Sequence, residues 1–115
     1  MIIFLNLNKK EIKHKGKIKR LTENEFKMAE LIFLNRKEIC INEMTKYIWG
    51  KRKIIVNTNN ISQLLCKVRK KIKECDIDVS FKLMSNNNSI IIDKMNYVII
   101  RSDRKLIYIL LNILI

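Results

Sequence analysis

The sequence contains no proline, two glycines, one histidine and three cysteines, and each scarcity excludes a class of protein. Without proline and with so little glycine there is no composition for a flexible linker, so we predict one domain for the 115 residues. Cys40, Cys66 and Cys75 are odd in number and share no metal-ligand spacing, which excludes a zinc site. We expect reduced thiols in a cytoplasmic protein, and an exposed His14 in a basic turn.

Catalytic groups are scarce as well. The sequence offers no Ser/His/Asp set, no paired carboxylates and no glycine-rich phosphate loop. We therefore predict that the protein is not an enzyme and has no cofactor and no metal. The start "MIIFLNLNKK" has no basic segment before its apolar residues and no small-residue cleavage site, so it does not read as a signal peptide.

Positive charge is abundant. Lys and Arg number 24 against 11 Asp and Glu, which gives a formal net charge of +13. Such a surface attracts phosphate polymers, anionic membranes or acidic partners. Nucleic acid is the favoured partner, and a purely solubilising charge excess is the alternative, because Ile, Asn and Lys are all heavily used in this sequence.

The hydrophobic periodicity changes along the chain from strands to helices and back to strands. β-Branched and aromatic residues with alternating lysines predict a small antiparallel sheet over the first 20 residues, with a turn at Gly16. Three helices follow: one capped by Thr22 with Glu25 three residues later, one from an N-cap at Asn42 to Gly50, and one over residues 57–74. Residues 77–83 and 89–93 then predict a hairpin with three asparagines at its tip.

The third predicted helix, "NTNNISQLLCKVRKKIKE", has two distinct faces. Ile61, Leu65, Val68 and Ile72 fall within roughly 60° of the helical wheel and form a stripe that should face the core. The opposite sector, about 80° wide, carries amides early and lysines late. It consists of Asn60, Gln63, Lys67 and Lys70, with Lys71 at its border and Arg69 between the two faces. Amides and cations are the groups that contact base edges and phosphates in the major groove, although a basic helix end also complements the helix dipole.

Two short helices before this one and a hairpin after it are the arrangement of a winged helix. The segments "LTENEFKMAELIFLN", "INEMTKYIWG" and "NNISQLLCKVRKKI" resemble the DNA-binding effector domains of the OmpR/PhoB type, and the organisation is closest to ToxR/CadC-like regulators. The matching features are Leu21, Thr22, Glu25 and Phe26 in the first helix, Trp49 with Gly50 in the second, and Val68 to Lys71 in the third. The resemblance covers roughly residues 3 to 92.

The resemblance implies an α+β fold, a winged helix-turn-helix with an N-terminal antiparallel β-sheet, three helices and a C-terminal β-hairpin wing over residues 79–93. It implies sequence-specific transcriptional regulation on double-stranded DNA, by homodimers on tandem half-sites and with RNA polymerase as a further partner. It places Asn59, Asn60, Gln63 and Lys67 at base edges, Arg69 and Lys70 nearer phosphate, Lys82, Asn86, Asn87 and Asn88 on the wing, and Lys51, Arg52 and Lys53 in the loop before the third helix. Lys71, at the border of the polar sector, is also expected to be a DNA-binding residue.

The predicted wing, "KLMSNNNSIII", lacks the Gly-x-Gly-Tyr sequence of that family. Together with an apolar tail, this motivates a second hypothesis from another class: a winged-helix adaptor or anti-regulator that binds a protein and no longer reads DNA. RNA binding is a third hypothesis, and the lack of an aromatic stacking surface counts against it.

We assign residues 1–94 to the domain and residues 95–115 to an apolar C-terminal tail, in which "KLIYILLNILI" follows a basic stretch. A helix of about ten residues rises only ~15 Å, against a hydrocarbon core of ~30 Å. Three interpretations stay open: a truncated span at the inner membrane, a strand or helix packed on the domain, and a segment for dimerisation or membrane-surface association through residues 105–115.

Overall fold

The structure is a computed structural model that describes residues 2–35, 37–50, 57–84, 88–94 and 97–102, with the backbone alone at Thr58, Lys94 and Ser102. These residues form a small α+β domain with three helices and two sheets. In chain order the elements are β1 (Ile2–Asn6), β2 (Glu11–His14), β3 (Lys17–Arg20), α1 (Glu23–Leu34), β4 (Glu38–Cys40), α2 (Ile41–Trp49), α3 (Thr58–Glu74), β5 (Val79–Leu83), β6 (Ser89–Lys94) and β7 (Val98–Ser102).

The first sheet has the order β3-β2-β1-β7. The first three strands are antiparallel, as predicted, and β2 turns into β3 through Lys15 and Gly16, whose φ angles of 51° and 78° are those of a two-residue hairpin turn. The fourth strand differs from the expected antiparallel sheet, because β7 runs parallel to β1 with Ile2 beside Val98. Two strands that are parallel need a long crossover between them. Here the crossover contains all three helices, so no local signal in the sequence could indicate the pairing.

The second sheet has the order β4-β6-β5 and is antiparallel throughout. The β5–β6 pair confirms the hairpin predicted after the third helix. Strand β4 was not predicted, because three residues are too short for a periodic pattern. It places Ile39 opposite Ile90 and joins the hairpin to the connection between α1 and α2.

Helix α1 begins as the sequence predicts. The Thr22 hydroxyl accepts from the Glu25 amide at 3.3 Å, and the Glu25 carboxylate accepts from the Thr22 amide at 2.8 Å. Two of the orphan amides at this helix start are satisfied by side chains, which fixes the direction in which α1 leaves the sheet.

Helix α2 begins two residues earlier than predicted. Its N-cap is Cys40 and not Asn42, and Cys40 makes no side-chain capping bond. The Ile41 amide instead donates to the Asn88 carbonyl oxygen at 3.0 Å, so the start of the helix is set by the strand beside it. The predicted end is confirmed, because Gly50 is the C-cap with a φ of 59°.

Helix α3 runs from Thr58 to Glu74 with Asn57 as its N-cap, so the predicted range of 57–74 is confirmed within one residue. The side-chain oxygen of Asn57 accepts from the Asn60 amide at 2.9 Å, and that of Asn60 accepts from the Asn57 amide at 3.0 Å. At the other end, Lys19 forms an ion pair with Glu74, and Lys17 pairs with Asp76 at 2.5 Å. Both ends of α3 are therefore anchored.

The core lies between the first sheet and the helices, and it extends to the second sheet through Phe81, Ile90 and Ile92. Ile61, Leu65, Val68 and Ile72, the predicted stripe of α3, are all buried in it. Phe26 is buried, and Trp49 is partly buried against the same core. Placing this stripe in the core turns the opposite side of α3 outward.

His14 corrects a prediction. We expected an exposed residue in a basic turn, but His14 is the last residue of β2 and is 2% exposed. Because side chains alternate along a strand, His14 points to the same side as the buried Ile12. Its Nδ1–H donates to the Cys75 carbonyl oxygen at 2.9 Å, and its ring meets Tyr97 edge-on at 5.7 Å. His14 thus packs under the end of α3.

Strand β7 is attached to the helices as well as to β1. Arg101 donates to the buried Glu30 carboxylate at 3.2 Å, and the Tyr47 hydroxyl donates to the other oxygen of Glu30 at 3.2 Å. Residues 98–102, which we had assigned to the tail, are therefore paired with the domain. Residues 103–115, on which the three interpretations of the apolar tail depend, lie outside the described part of the chain. No helix in the described part is long and apolar enough to cross a membrane.

Candidate nucleic-acid interface

The side of α3 opposite the core stripe carries five exposed polar residues, which we call the outward face. They are Asn59, Asn60, Gln63, Lys67 and Lys70. Their exposure follows from the wheel, because the buried stripe fixes the rotation of the helix about its axis. Within the described residues, the side chains of Gln63, Lys67 and Lys70 make no hydrogen bond or ion pair, so their polar groups are available to a ligand.

Asn60 belongs to the outward face and also to the capping box at the start of α3. Its Oδ1 accepts from the Asn57 amide in the capping box, and that bond orients the side chain. The amide NH2 group of Asn60 therefore points away from the Asn57 backbone. A donor held in this way at the start of a helix is well placed to contact an acceptor on a base or a phosphate.

A shallow polar depression of about 200 Å³ opens beside the outward face, between α3 and the start of α1. Its walls bring residues from three helices together. They are Thr22, Asn24, Glu25, Trp49, Asn60, Gln63, Leu64 and Lys67. Asn24 did not stand out in the sequence, because its position next to Gln63 and Lys67 depends on how α1 packs against α3. The N-cap at Thr22 was the one local signal that pointed to this end of α1.

Arg69 lies on one flank of the outward face and is bound to the second sheet. Its Nη2 donates to the Phe81 carbonyl oxygen at 2.7 Å, and its Cζ lies 4.9 Å from the centre of the Phe81 ring. Strand β5 is the edge strand of its sheet, so the guanidinium occupies a carbonyl that no neighbouring strand uses. The side chain that we predicted to contact phosphate is engaged in holding α3 against the hairpin.

Lys71 lies on the opposite flank and is directed at α1. Its ammonium donates to the Glu25 carboxylate at 2.6 Å and to the Arg20 carbonyl oxygen at 3.2 Å. Burial raises the pKa of Glu25, but hydrogen bonds from Lys71 and from the Thr22 amide, with the Lys71 charge, outweigh it. The pKa of Glu25 therefore lies below its ordinary value. Lys71, which was also predicted to bind DNA, compensates a buried carboxylate.

The predicted wing is described in part. Lys82 is exposed on β5, and Asn88 is exposed at the start of the returning strand, where its carbonyl oxygen accepts from Ile41. Asn86, Asn87, Lys51, Arg52 and Lys53 lie outside the described residues. The structure thus brings Asn59, Asn60, Gln63, Lys67 and Lys70 onto one surface and turns Arg69 and Lys71 toward other elements.

The three cysteines differ in their exposure. Cys40 and Cys66 are exposed thiols, and burial raises the pKa of the Cys75 thiol, which lies in the core. Across the described ranges, no group of three or more His, Cys, Asp or Glu residues could hold a metal ion.

No family model, no curated protein and no solved structure matches the chain.

Proposed function

We propose that the chain is a winged-helix transcriptional regulator of the OmpR/PhoB type, which binds duplex DNA sequence-specifically with α3 in the major groove and the β5–β6 hairpin as its wing. The observation that carries this proposal is the outward face of α3, a row of exposed amides and lysines on a helix whose opposite side is fully buried. Amides bind adenine edges and lysines bind guanine edges or phosphates in that groove.

The dimensions of α3 support the proposal. A helix is about 10–12 Å in diameter with its side chains, and the major groove is about 12 Å wide, so α3 fits into the groove. Its 17 residues give it a length of about 25 Å along the groove. Asn59, Asn60 and Gln63 lie in its first two turns and Lys67 and Lys70 in its later turns. Base-reading groups would thus come from the N-terminal half, as in other recognition helices.

The net positive charge of the chain also supports the proposal that it binds DNA. A net charge of +13 on 115 residues provides the sequence-independent attraction that precedes specific binding. Arg69 adds to this field because its partner is a neutral carbonyl oxygen, whereas the charge of Lys71 is offset by Glu25. Their pairing instead holds the hairpin and α1 at fixed positions beside α3, which preorganises the surface that meets DNA.

The proposal is tested with the full chain and a random duplex library. A selected sequence is titrated against a scrambled duplex for the wild type, Gln63→Ala and Lys67→Ala. We expect Gln63→Ala to lose about 1–3 kcal/mol of discrimination between the two duplexes, and Lys67→Ala to weaken binding to the selected one. Lys37→Ala is the matched control, because this exposed lysine lies beyond the far end of α1. It should bind like the wild type.

The alternative is the adaptor or anti-regulator that binds a protein. It is favoured by one observation: two of the four cations in the run 67–71 are used inside the fold. The same titration separates the two functions. If no sequence is enriched and no duplex is retarded even at low salt, DNA reading is excluded, and a protein partner bound with little salt dependence would establish the adaptor.

A further inference from the structure

A second depression lies on the Arg69 flank of α3, between the C-terminal half of this helix and strand β5. Its volume is about 440 Å³, against about 200 Å³ for the depression beside the outward face. We call it the β5 groove, and it is lined by Arg69, Ile72 and Lys73 of α3 and by residues 77–82. Ligand sites in proteins measure about 300–1,000 Å³, so the β5 groove is large enough to receive side chains of a partner.

The charges of the β5 groove are mainly positive. Arg69, Lys73 and Lys82 are exposed cations, whereas Asp78 is the only carboxylate among the described residues that line it. In the described part of the chain the ammonium groups of Lys73 and Lys82 make no hydrogen bond or ion pair, and Arg69 binds a neutral carbonyl oxygen. The positive charge is therefore not neutralised within the groove, which favours an anionic ligand.

The β5 groove also has an apolar floor. Ile72, Ile77 and Phe81 line it and are buried, and Val79, the first residue of β5, lines it and is half-buried. A nucleic-acid backbone offers mainly phosphate and sugar oxygens to a protein, whereas a peptide offers carboxylates and apolar side chains together. Cations around an apolar floor thus favour an acidic peptide.

The hydrogen bond of Arg69 indicates how such a peptide is held. Strand β5 is the edge strand of its sheet, and an edge strand can accept a further strand through its backbone. The Arg69 guanidinium, however, donates to the carbonyl oxygen of Phe81, the middle residue of β5, at 2.7 Å. A strand added along β5 would have to compete with that bond. Recognition through side chains keeps the bond intact.

A second copy of this chain is a poor occupant. Each copy carries a formal net charge of +13, so two copies repel each other. The carboxylates that complement the β5 groove must therefore come from a different, acidic protein.

We propose that the β5 groove binds an acidic segment of a partner protein. Carboxylates of that segment contact Lys73 and Lys82, and an apolar side chain rests on Ile77 and Val79. The proposal goes beyond DNA binding and does not depend on it, because the β5 groove lies on the Arg69 flank of α3 and not on the outward face.

The test selects peptides from a random display library on the full chain and titrates the enriched peptide by fluorescence anisotropy. We expect the selection to enrich acidic peptides with an apolar residue. Lys73→Glu should raise the Kd about five- to tenfold, because an exposed attraction becomes a repulsion, and Lys73→Arg should keep the wild-type Kd. Lys46→Glu, exposed on α2, makes the same change in net charge and is the control, so it should alter the Kd much less.

Methyl NMR of the full chain then locates the bound peptide. We expect the methyl signals of Ile77 and Val79 to shift and those of Leu64, which lines the depression beside the outward face, to stay in place. Shifts at Leu64 alone would place the peptide near the outward face and overturn the proposal. Equal Kd values for Lys73→Glu and Lys46→Glu would overturn it too.

Duplex DNA is the rival occupant of the β5 groove. If the selection enriched no acidic peptide and a duplex shifted Ile77 and Val79, the groove would be a phosphate contact and the proposal would be wrong. The absence of any acidic peptide would count against it even without such shifts. Neither result would affect the comparison of selected and scrambled duplexes, so the two proposals can fail separately.

Discussion

The outward face of α3 and the flanks of the same helix carry the same kind of residue and use it differently. Lys67 and Lys70 point to solvent, and within the described chain neither forms an ion pair, whereas Arg69 and Lys71 are bound to β5 and α1. One step along the helix turns a side chain by about 100°, which decides whether another element lies within its reach. A run of cations on one helix is thus divided between holding the fold and facing a ligand.

The flanking contacts differ from each other in their surroundings. Glu25, the partner of Lys71, is 4% exposed, so its carboxylate depends on the ammonium for charge compensation. Arg69 is exposed and binds a backbone carbonyl on an edge strand. We therefore expect the free energy of unfolding to depend most on Lys71, less on Arg69 and hardly at all on Lys70.

The largest effect is expected for Lys71→Met, which keeps an unbranched side chain and removes the charge. It leaves the buried Glu25 carboxylate without its cation, which should cost about 1–3 kcal/mol in the free energy of unfolding. Urea denaturation measures this, and Lys73→Met, two residues further on and exposed, is the control. Equal stability of the two variants would show that the ion pair contributes nothing beyond an ordinary surface contact.

Acid should break the same contact without a mutation. Because the pKa of Glu25 is lowered in the folded chain, its contribution is complete above 4.5, the ordinary value, and is lost as the pH falls through the folded value. The wild type should therefore lose stability in acid, and Glu25→Gln should lose less. Asp76, whose pKa is lowered by the hydrogen bond and charge of Lys17, is exposed, so Asp76→Asn should flatten the profile less than Glu25→Gln does. The reverse order would contradict this assignment.

The sequence predicted features that depend on neighbours in the chain. The capping box at Thr22, the stop at Gly50 and the β5–β6 hairpin are each formed within a few residues. The burial of the α3 stripe also follows from periodicity alone. The sequence therefore also predicts the outward face, since it is the side of α3 opposite the buried stripe.

The features that were missed depend on distant segments. Strand β4 exists because β6 pairs with it, and β7 joins β1 across the length of the domain. His14 is buried because the end of α3 covers it, although lysines and a glycine surround it in the sequence. A helical wheel likewise gives the direction of the Lys71 or Arg69 side chain, but it does not show which element that side chain contacts. Tertiary packing decides these cases.

Arg69→Ala tests the other flank. It removes one hydrogen bond to the Phe81 carbonyl and a ring contact at an exposed site, so we expect a loss of about 1 kcal/mol in stability. Because the change loosens the hairpin and removes a charge without removing a base contact, DNA affinity should fall by the same factor for selected and scrambled duplexes. A loss confined to the selected duplex would place Arg69 at a base edge instead.

The smallest effect on stability is expected for Lys70→Ala, which completes the contrast with its two neighbours. Its ammonium makes no ion pair in the described residues, so the free energy of unfolding should stay within about 0.5 kcal/mol of the wild type. Its effect should be confined to DNA binding. Loss of one phosphate contact should make the negative slope of log K against log salt shallower by about 1. Gel-shift titrations over a range of salt concentrations measure that slope, with Lys37→Ala as the control. If Lys70→Ala instead destabilised the fold as much as Arg69→Ala while leaving the slope unchanged, the division between a ligand-facing side and two structural flanks would not hold.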